Sequence, residues 1–441
     1  MPRLRPFRAL RFDPTVTGDP ALVTAPPYDV IDAALRARLI ALHPSNVVRL
    51  DLPVEEVGDQ PDDQYRRAAR TLAQWRSDGT IRKDPHPSVY VYEQVYVVPG
   101  TTTERTQRGF FARLQLEAAG SGSGILPHER TLSGPREDRY KLLRATGVNT
   151  SPVIVLFDDP SGETGVRLTT AASGAPDIDV KDGDGVRHRL WAIPADGEGA
   201  QAELAAALIA AGEARPVTIA DGHHRYETAL RYRDERRMTR SCEEDPAFDY
   251  LLTLFLEANA ESLTVLPTHR LLRSVGDEGA ALILRRADEL FEVEPVATSG
   301  ELVRAFEAAG LTRGGEGRFG LWTRAGGALL RARRHAFTPF LPAGGDALRG
   351  LDVTLLGVAL ERLAGLDVTA VGRGAIGYSK SAAEAVSAVD RNDGIDAAWL
   401  LQGTPVAAIQ EVARDGDVMP QKSTYFYPKA LTGLLINPHE W

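Results

Sequence analysis

The sequence has almost no cysteine, no long apolar runs and no net positive charge. Cys242 is the only cysteine among 441 residues, which excludes a disulfide within the chain and a zinc site built from several cysteines. Apolar runs such as residues 250–258 are far shorter than the roughly 20 residues of a membrane span. The basic start, MPRLRPFRALRFDP, lacks the apolar core of a signal peptide. The net charge of −9 is unlike the basic surface of a typical nucleic-acid binder. We therefore expect a cytoplasmic protein without a membrane partner, and the acidic balance disfavours a nucleic acid as its partner.

The remaining composition is that of a globular enzyme or binding protein. Hydrophobic residues make up 43% and charged residues 25% of the chain, and its length favours two or three domains. Periodicity predicts helices over 32–43, 62–79, 136–146, 202–212 and 225–237. It predicts strands over 46–52, 88–98, 108–117, 152–157, 216–220, 248–257 and 263–272, and a hairpin-rich insertion over 160–195. We expect an α+β fold with a mixed-sheet core, divided into regions 1–150, 151–270 and an α/β region 271–441.

One segment, TIADGHHRYETALRYRDER at 218–236, places a dense polar group where a strand turns into a helix. The amino end of a helix presents N–H groups and partial positive charge, and phosphate binds readily there. Gly222 lets the backbone approach closely, Arg225 offers a planar fork of donors, and His223 and His224 add donors. Asp221 either caps the helix or holds Mg²⁺ beside a phosphate. In the alternative interpretation Arg225 simply pairs with another acid of the helix and the histidines pack.

A second polar cluster lies in LPHERTLSGPREDRYKLL, residues 126–143. A His-Glu pair after a proline could supply catalytic groups, with Glu129 as a general base and His128 beside it. Basic residues follow in the predicted helix and could clamp phosphate, although an ordinary helix face has the same composition. The basic candidates in this cluster are Arg130, Arg136, Arg139 and Lys141.

Three further motifs carry polar residues at the ends of predicted elements, where sites often form. The tail MPQKSTYFYPK, residues 419–429, offers small donors between prolines, or else simply packs across the core with its lysine exposed. The predicted donor-binding residues of this tail are Lys422, Ser423 and Thr424. The motifs PPYDV, HPSNVVRLD and LPTHR supply the predicted substrate-binding residues Tyr28, Asp29, Asn46, Arg49 and His269.

The sequence also contains the glycine pattern of a dinucleotide-binding motif, but we do not interpret it as a dinucleotide site. The stretch VGRGAIGYSK, residues 371–380, contains G-x-G-x-x-G before a predicted helix. The acid expected after the next strand is missing, because that strand ends in Gln402 and Gly403. Tyr378 stands where a Walker A motif needs lysine. Neither a Rossmann site nor a P-loop is expected.

Taken together, the motifs resemble a family known as domain of unknown function 1015. PPYDV, HPSNVVRL, LPHERT, ADGHHRYETAL, LPTHR and MPQKSTYFYPK occur in that order between about residue 5 and residue 437. The DGHHR turn is similar, over a short module only, to one in the ParB/sulfiredoxin-like superfamily, which includes free-serine kinases. That resemblance implies that Gly222, His223, His224 and Arg225 hold donor phosphates, with Asp221 near the metal or the acceptor. The basic helix-turn-helix of a ParB DNA binder does not follow the motif.

These observations favour a small-molecule phosphotransferase, most concretely one forming O-phosphoserine from serine. Phosphoryl transfer needs positioning and neutralisation of charge, which these residue types provide. The expected donor is ATP, ADP or pyrophosphate with Mg²⁺, and the base is Glu129 or Asp221. A hydrolase using the same phosphate site, or a non-catalytic nucleotide-binding or nucleic-acid-binding regulator, are the alternatives. We expect all six motifs to converge on one cleft.

Overall fold

The computed structural model describes residues 1–118, 123–129, 133–239, 244–258, 261–308, 315–367, 369–370 and 373–441, with the backbone alone at 133–136. Cys242 and Arg130 lie outside the described residues, as does the side chain of Arg136. The chain forms two compact units. The first comprises Met1–Pro127, Thr131–Leu263 and Pro428–Trp441, and the second comprises His128–Arg130 and Thr264–Tyr427.

The strands range from 2 to 12 residues in length, and we number them along the chain. They are β1 Leu4–Arg5, β2 Leu10–Phe12, β3 Ile81–Lys83, β4 Ser88–Val97, β5 Glu104–Gln115, β6 Ile125–Leu126, β7 Val148–Asn149, β8 Val153–Phe157, β9 Ile178–Lys181, β10 Arg187–Pro194, β11 Val217–Asp221, β12 Tyr250–Glu257, β13 Thr264–Leu266, β14 His269–Leu272, β15 Phe291–Val296, β16 Arg318–Thr323, β17 Gly326–Ala332, β18 Ile376–Ser379, β19 Ala397–Leu401, β20 Tyr425–Tyr427 and β21 Asn437–Pro438.

The helices range from a single turn to 17 residues in length. They are α1 Pro14–Thr17, α2 Pro20–Val23, α3 Ala33–Leu42, α4 Val48–Asp51, α5 Asp63–Ser77, α6 Ser133–Thr146, α7 Glu163–Ala171, α8 Ala200–Glu213, α9 His223–Thr239, α10 Gly276–Arg286, α11 Ser299–Glu307, α12 Arg334–Phe337, α13 Asp346–Gly350, α14 Asp352–Ala364, α15 Ala382–Asp390 and α16 Val406–Arg414. Among the helices described, none is long and apolar enough to cross a membrane.

The first unit is built on a mixed sheet of nine strands. Its order is β6-β11-β8-β12-β5-β4-β10-β9, with β1 also paired to β5. Most neighbours are antiparallel, whereas β12 with β8 and β11 with β6 run parallel. The core includes the rings of Phe110, Phe157 and Phe255 from adjacent strands, with Phe110 and Phe255 stacked at 5.0 Å. Helix α9 adds Tyr226, Ala229 and Tyr232, which recur every third residue and so share one face.

The second unit contains a six-stranded sheet of order β15-β17-β16-β19-β14-β18. All of its strand pairs are antiparallel. Helices α11 and α15 cover one side, where Leu302, Phe306 and Val386 pack with Leu400 of the central strand β19. The two units together confirm the predicted α+β class with a large mixed sheet.

Three predictions about local structure differ from what is observed. Residues 46–52 were expected to form a strand but contain helix α4, because Asn46 accepts a hydrogen bond from Val48 N at 3.0 Å and turns the chain. The segment 160–195 holds helix α7 before its hairpin. No boundary falls near residue 150, since β5 and β8 both pair with β12 in one sheet.

Candidate functional site

The candidate site lies at the junction between strand β11 and helix α9. The pairing of β11 with β8 slips between Ile219 and Asp221, so a bulge re-aims the last residues of the strand. Gly222 follows with φ of 91°, a conformation that side chains other than glycine rarely adopt. A Cβ atom at Gly222 would also lie 3.1 Å from Arg225 Nε and 3.1 Å from Val153 Cγ2. The glycine therefore lets the Arg225 guanidinium pack against the turn.

Asp221 is bound by two cations. Arg225 Nη2 donates to Asp221 Oδ2 at 2.6 Å, and Lys429 Nζ donates to Oδ1 of the same carboxylate. Arg225 Nη1 also donates to the carbonyl of Pro152, at the start of β8. All three charged side chains are largely buried, with 16% of Asp221, 11% of Arg225 and 10% of Lys429 exposed. One carboxylate thus holds a guanidinium and an ammonium together, with a net charge of +1.

This pairing controls the ionisation of Asp221. Burial alone raises the pKa of a carboxyl, but Lys429 and Arg225 outweigh burial and hold the pKa of Asp221 well below its usual range. His223 acts in the same direction more weakly. For Arg225, burial lowers the pKa but nearby acids, Asp221 first, raise it further. Asp221 and Arg225 are therefore both charged near neutral pH.

Tyr28 and Arg139 lie in the same electrostatic neighbourhood. The Arg139 guanidinium stands 4.2 Å over the ring of Tyr28, and Arg225 acts on the Tyr28 hydroxyl. Burial raises the pKa of Tyr28 to about 12. Arg139 is itself buried and donates to the carbonyl of Asp51 at 2.5 Å and to Asp138. The motifs PPYDV, REDRYKLL and DGHHR therefore meet in the first unit.

Asp51 is a further member of this neighbourhood that sequence reasoning missed. It is 2% exposed, and its Oδ1 accepts a hydrogen bond from Thr150 Oγ1 at 2.6 Å. Its charge acts on Arg139, Arg225 and Tyr28. Lys429 was also missed, although it ends the tail motif. Its position after the aromatic run and Pro428 was the available signal.

Other residues predicted for the first unit have different surroundings. His223 and His224 are half-buried in the first turn of α9, and Asp29 is exposed but within electrostatic reach of Arg225. Asn46 is fully buried and donates to the carbonyls of Leu22 and Thr24, so it supports the fold, and its role in substrate binding stays a prediction. Lys141 pairs with Asp62 at 2.8 Å. It lies two residues after Arg139 on the same helix, so its side chain points in a different direction from that of Arg139.

Arg49 lies on helix α4 near Arg36. Burial lowers the pKa of Arg36, and the charge of Arg49 lowers it further. The Nε of Arg49 is buried with no hydrogen-bond partner among the described residues. Its predicted role in substrate binding stays a prediction.

The remaining predicted residues form a cluster within the second unit. Lys422 adopts a left-handed φ of 56°, and its backbone is held on both sides. Its N–H donates to Glu129 Oε1 at 3.1 Å, while its carbonyl accepts from Thr268 Oγ1 at 2.7 Å and from Arg270 Nη2 at 3.2 Å. The Arg270 guanidinium stands 4.7 Å over Tyr378. LPHER, LPTHR and QKST thus meet around Glu129, with the side chain of Lys422 exposed.

Three predicted residues of the second unit are buried within the fold. His128 has no exposed surface, and its Nε2 lies 3.1 Å from Thr424 Oγ1. Ser423 donates to the carbonyl of Pro420 at 2.5 Å. His269 accepts from Leu401 N, and burial lowers its pKa to about 3. All three side chains have structural partners within the second unit, and the roles predicted for His128 in catalysis, Ser423 in donor binding and His269 in substrate binding stay predictions.

The described residues do not fit magnesium as the sequence predicted. Both oxygens of Asp221 already accept hydrogen bonds from cations, and a metal ion there would have to displace one of them. Within the described ranges no three His, Cys, Asp or Glu side chains group together as metal ligands. The expected helix-cap or metal role of Asp221 is therefore replaced by the pairing with Arg225 and Lys429.

Comparison with known proteins identifies the family. The chain belongs to the family described as "Protein of unknown function (DUF1015)", whose model matches residues 4–354. No curated protein matches the sequence.

The solved structures that match this chain include a free serine kinase in complex with AMP. The match has 12% identity and a TM-score of 0.34, and it covers 69% of this chain and 83% of the other. A conserved hypothetical protein from Pyrococcus furiosus matches with 13% identity and a TM-score of 0.32, over 69% and 87% of the two chains. SbnI from Staphylococcus aureus, with a C-terminal truncation, matches with 10% identity and a TM-score of 0.32, over 71% and 83%.

Proposed function

We propose that the first unit binds the phosphates of a nucleotide or pyrophosphate donor and that the protein is a small-molecule phosphotransferase. The observation that carries this proposal is the convergence of Arg225 and Lys429 on Asp221 at the start of a 17-residue helix. Two buried cations fixed by one acid leave a net positive charge beside the positive end of the helix dipole. An anion of several charges is the ligand that such a site favours.

A phosphate can bind without dismantling the cluster. A guanidinium has five N–H donors and an ammonium has three, so Arg225 and Lys429 can each bind a phosphate oxygen while keeping Asp221. Fixing the two cations in advance lowers the entropy lost when the ligand binds. Asp221 in this proposal orients the cations, and the donor is ATP, ADP or pyrophosphate.

The acceptor base is Glu129 in this proposal. An acid whose pKa is held far below its usual range is a weak proton acceptor, which disfavours Asp221. Glu129 is only partly buried and has one oxygen on the backbone N–H of Lys422. Serine as the acceptor, giving O-phosphoserine, rests on the resemblance of the DGHHR turn to the superfamily that includes free-serine kinases.

Two alternatives use the same phosphate site. A hydrolase would use water in place of the serine hydroxyl, and a regulator would bind the nucleotide without reaction. The phosphorus products distinguish them: a kinase forms O-phosphoserine only when serine is present, a hydrolase releases phosphate without serine, and a binder leaves the donor unchanged.

The experiment is phosphorus NMR of the purified protein with ATP, ADP or pyrophosphate, with and without serine. Each mixture is run with Mg²⁺ and with a chelator, so that a requirement for the metal is measured directly. We expect an O-phosphoserine signal with at least one donor. Unchanged donors together with no calorimetric binding of any of the three would overturn the phosphate-site proposal.

A further inference from the structure

Residues 428–441, the part of the tail that belongs to the first unit and carries Lys429, are held within that unit by a buried polar chain that the proposed reaction does not use. Gln94 Nε2, from strand β4, donates to the carbonyl of Lys429 at 3.0 Å. Two residues earlier on the same strand, the hydroxyl of Tyr92 lies near the backbone of Leu431, which acts on it electrostatically. Alternate residues of a strand face the same side, so Tyr92 and Gln94 hold the tail at two successive points.

The hydroxyl of Tyr92 is in turn held by a buried histidine that is itself paired with an aspartate. It lies 2.6 Å from His188 Nδ1, and His188 Nε2 lies 3.0 Å from Asp182 Oδ2. With the ring proton on Nε2, where it donates to the carboxylate, Nδ1 is left to accept the proton of the Tyr92 hydroxyl. The Tyr92 oxygen then keeps lone pairs that can accept the Leu431 N–H. Tyr92 is 1% exposed and His188 is fully buried, so water does not compete for these bonds.

The rest of the tail is anchored independently. Ala25 and Thr432 exchange backbone hydrogen bonds, and Arg113 donates to Asn437 Oδ1 at 2.6 Å and to the carbonyl of Pro438. Lys83 Nζ donates to the carbonyl of Trp441 at 2.7 Å. Losing the contacts at 429 and 431 would therefore displace Lys429 locally while the end of the tail stays in place.

We propose that Tyr92 and Gln94 are positioning residues that hold Lys429 on Asp221, with His188 and Asp182 fixing the Tyr92 hydroxyl. The placement of Lys429 is a property of the fold, whereas its consequence for ligand affinity rests on the proposed phosphate site. Because the backbone of Lys429 is held from β4, four strands from β11 in the sheet, the chain can bring a cation to β11 from a distant part of the sequence.

The test uses the full-length variants Tyr92→Phe and Gln94→Met, with Tyr250→Phe as the matched control. Tyr250 is a buried tyrosine of the same sheet whose hydroxyl bonds Asp245 at 2.8 Å, far in sequence from the tail contacts at 429 and 431. The first measurement is the rate at which Lys429 is acetylated by acetic anhydride, followed by mass spectrometry. We expect about a fivefold increase in both variants, the scale of one lost hydrogen bond, and none in the control. Labelling of Lys83 should stay unchanged, which separates local displacement from release of the whole tail.

The second measurement is the affinity for ATP in single and double variants. Tyr92→Phe should weaken binding about fivefold in the wild-type background and not at all in Lys429→Met, because the effect passes through that lysine. Wild-type labelling of Lys429 in both variants would overturn the positioning proposal. An equal loss of affinity in the Lys429→Met background would overturn it as well. If wild-type protein binds no phosphate compound, the proposed function fails, while the labelling rates still decide the positioning role.

Discussion

Lys429 donates to Asp221 although 208 residues separate them in the sequence. The contact joins the strand–helix turn to the end of the tail motif. It gives the turn a second cation that the local sequence does not contain. Any property that depends on the charge of this turn therefore depends on the tail.

Replacing Arg225 with alanine should weaken donor binding by roughly 2–3 kcal/mol, the scale of a charge-assisted hydrogen bond. The loss includes the effect of leaving Asp221 with Lys429 alone. The matched control is Arg231→Ala, which removes an arginine of the same helix whose partner Glu137 is exposed. Calorimetry with ATP, ADP and pyrophosphate measures both. Equal affinity of the two variants for every compound would contradict the phosphate site.

The local sequence predicted this turn well because its geometry is local. A strand, a glycine and a helix follow each other within a few residues, and the pattern of Asp221, Gly222 and Arg225 is readable directly. Lys429 was not identified because the sequence does not show which residues a segment 208 positions away will contact in the fold. The burial of His269 and His128 could not be predicted either, because a histidine in a polar motif looks the same in the sequence whether it is exposed or buried.

Replacing Gly222 with alanine tests whether the turn needs space as well as a positive φ. The added Cβ would meet Arg225 and Val153 at 3.1 Å, in a backbone with φ of 91°. The control is Gly197→Ala, with φ of 87° and no atom within 4 Å of the added Cβ. We expect about 1–2 kcal/mol of destabilisation from the backbone alone in the control, and a larger loss plus weaker donor binding at Gly222. Urea denaturation and calorimetry measure both quantities, and identical effects would show that the contact with Arg225 is unimportant.

The buried His269 predicts how stability depends on pH. Burial lowers its pKa to about 3, so it stays neutral in the fold while the unfolded chain takes up a proton near its ordinary pKa of about 6.5. Its contribution is therefore fully present above pH 6.5 and is lost as pH falls towards 3, at up to about 1.4 kcal/mol per pH unit. In His269→Leu the free energy of unfolding should fall less steeply between pH 6.5 and pH 4. Urea denaturation across that range checks this, and equal slopes would contradict it.

Neither the sequence nor the fold by itself identifies the general base, so the variants of the two candidate acids have to decide it. Glu129→Gln removes the basic carboxylate but keeps an oxygen that can accept the Lys422 N–H, so the backbone turn at Lys422 should persist. We expect donor affinity to remain and the rate to fall about 10²–10⁴-fold, as when a general base is lost. Calorimetry and the phosphorus assay measure the two quantities separately.

The variant Asp221→Asn is needed to interpret the Glu129→Gln result, because Asp221 is the other candidate for the general base. It leaves Arg225 and Lys429 without their shared carboxylate, so it should weaken stability by about 3–5 kcal/mol and alter donor binding. A loss of rate with unchanged affinity and stability is therefore expected from Glu129→Gln alone. Wild-type turnover in Glu129→Gln would remove Glu129 from the mechanism and return the role of base to Asp221, despite its low pKa. Full activity in both variants would leave neither acid as the base, because a group that takes the acceptor's proton cannot be replaced by an amide without cost. The non-catalytic nucleotide binder would then be the better description of the protein.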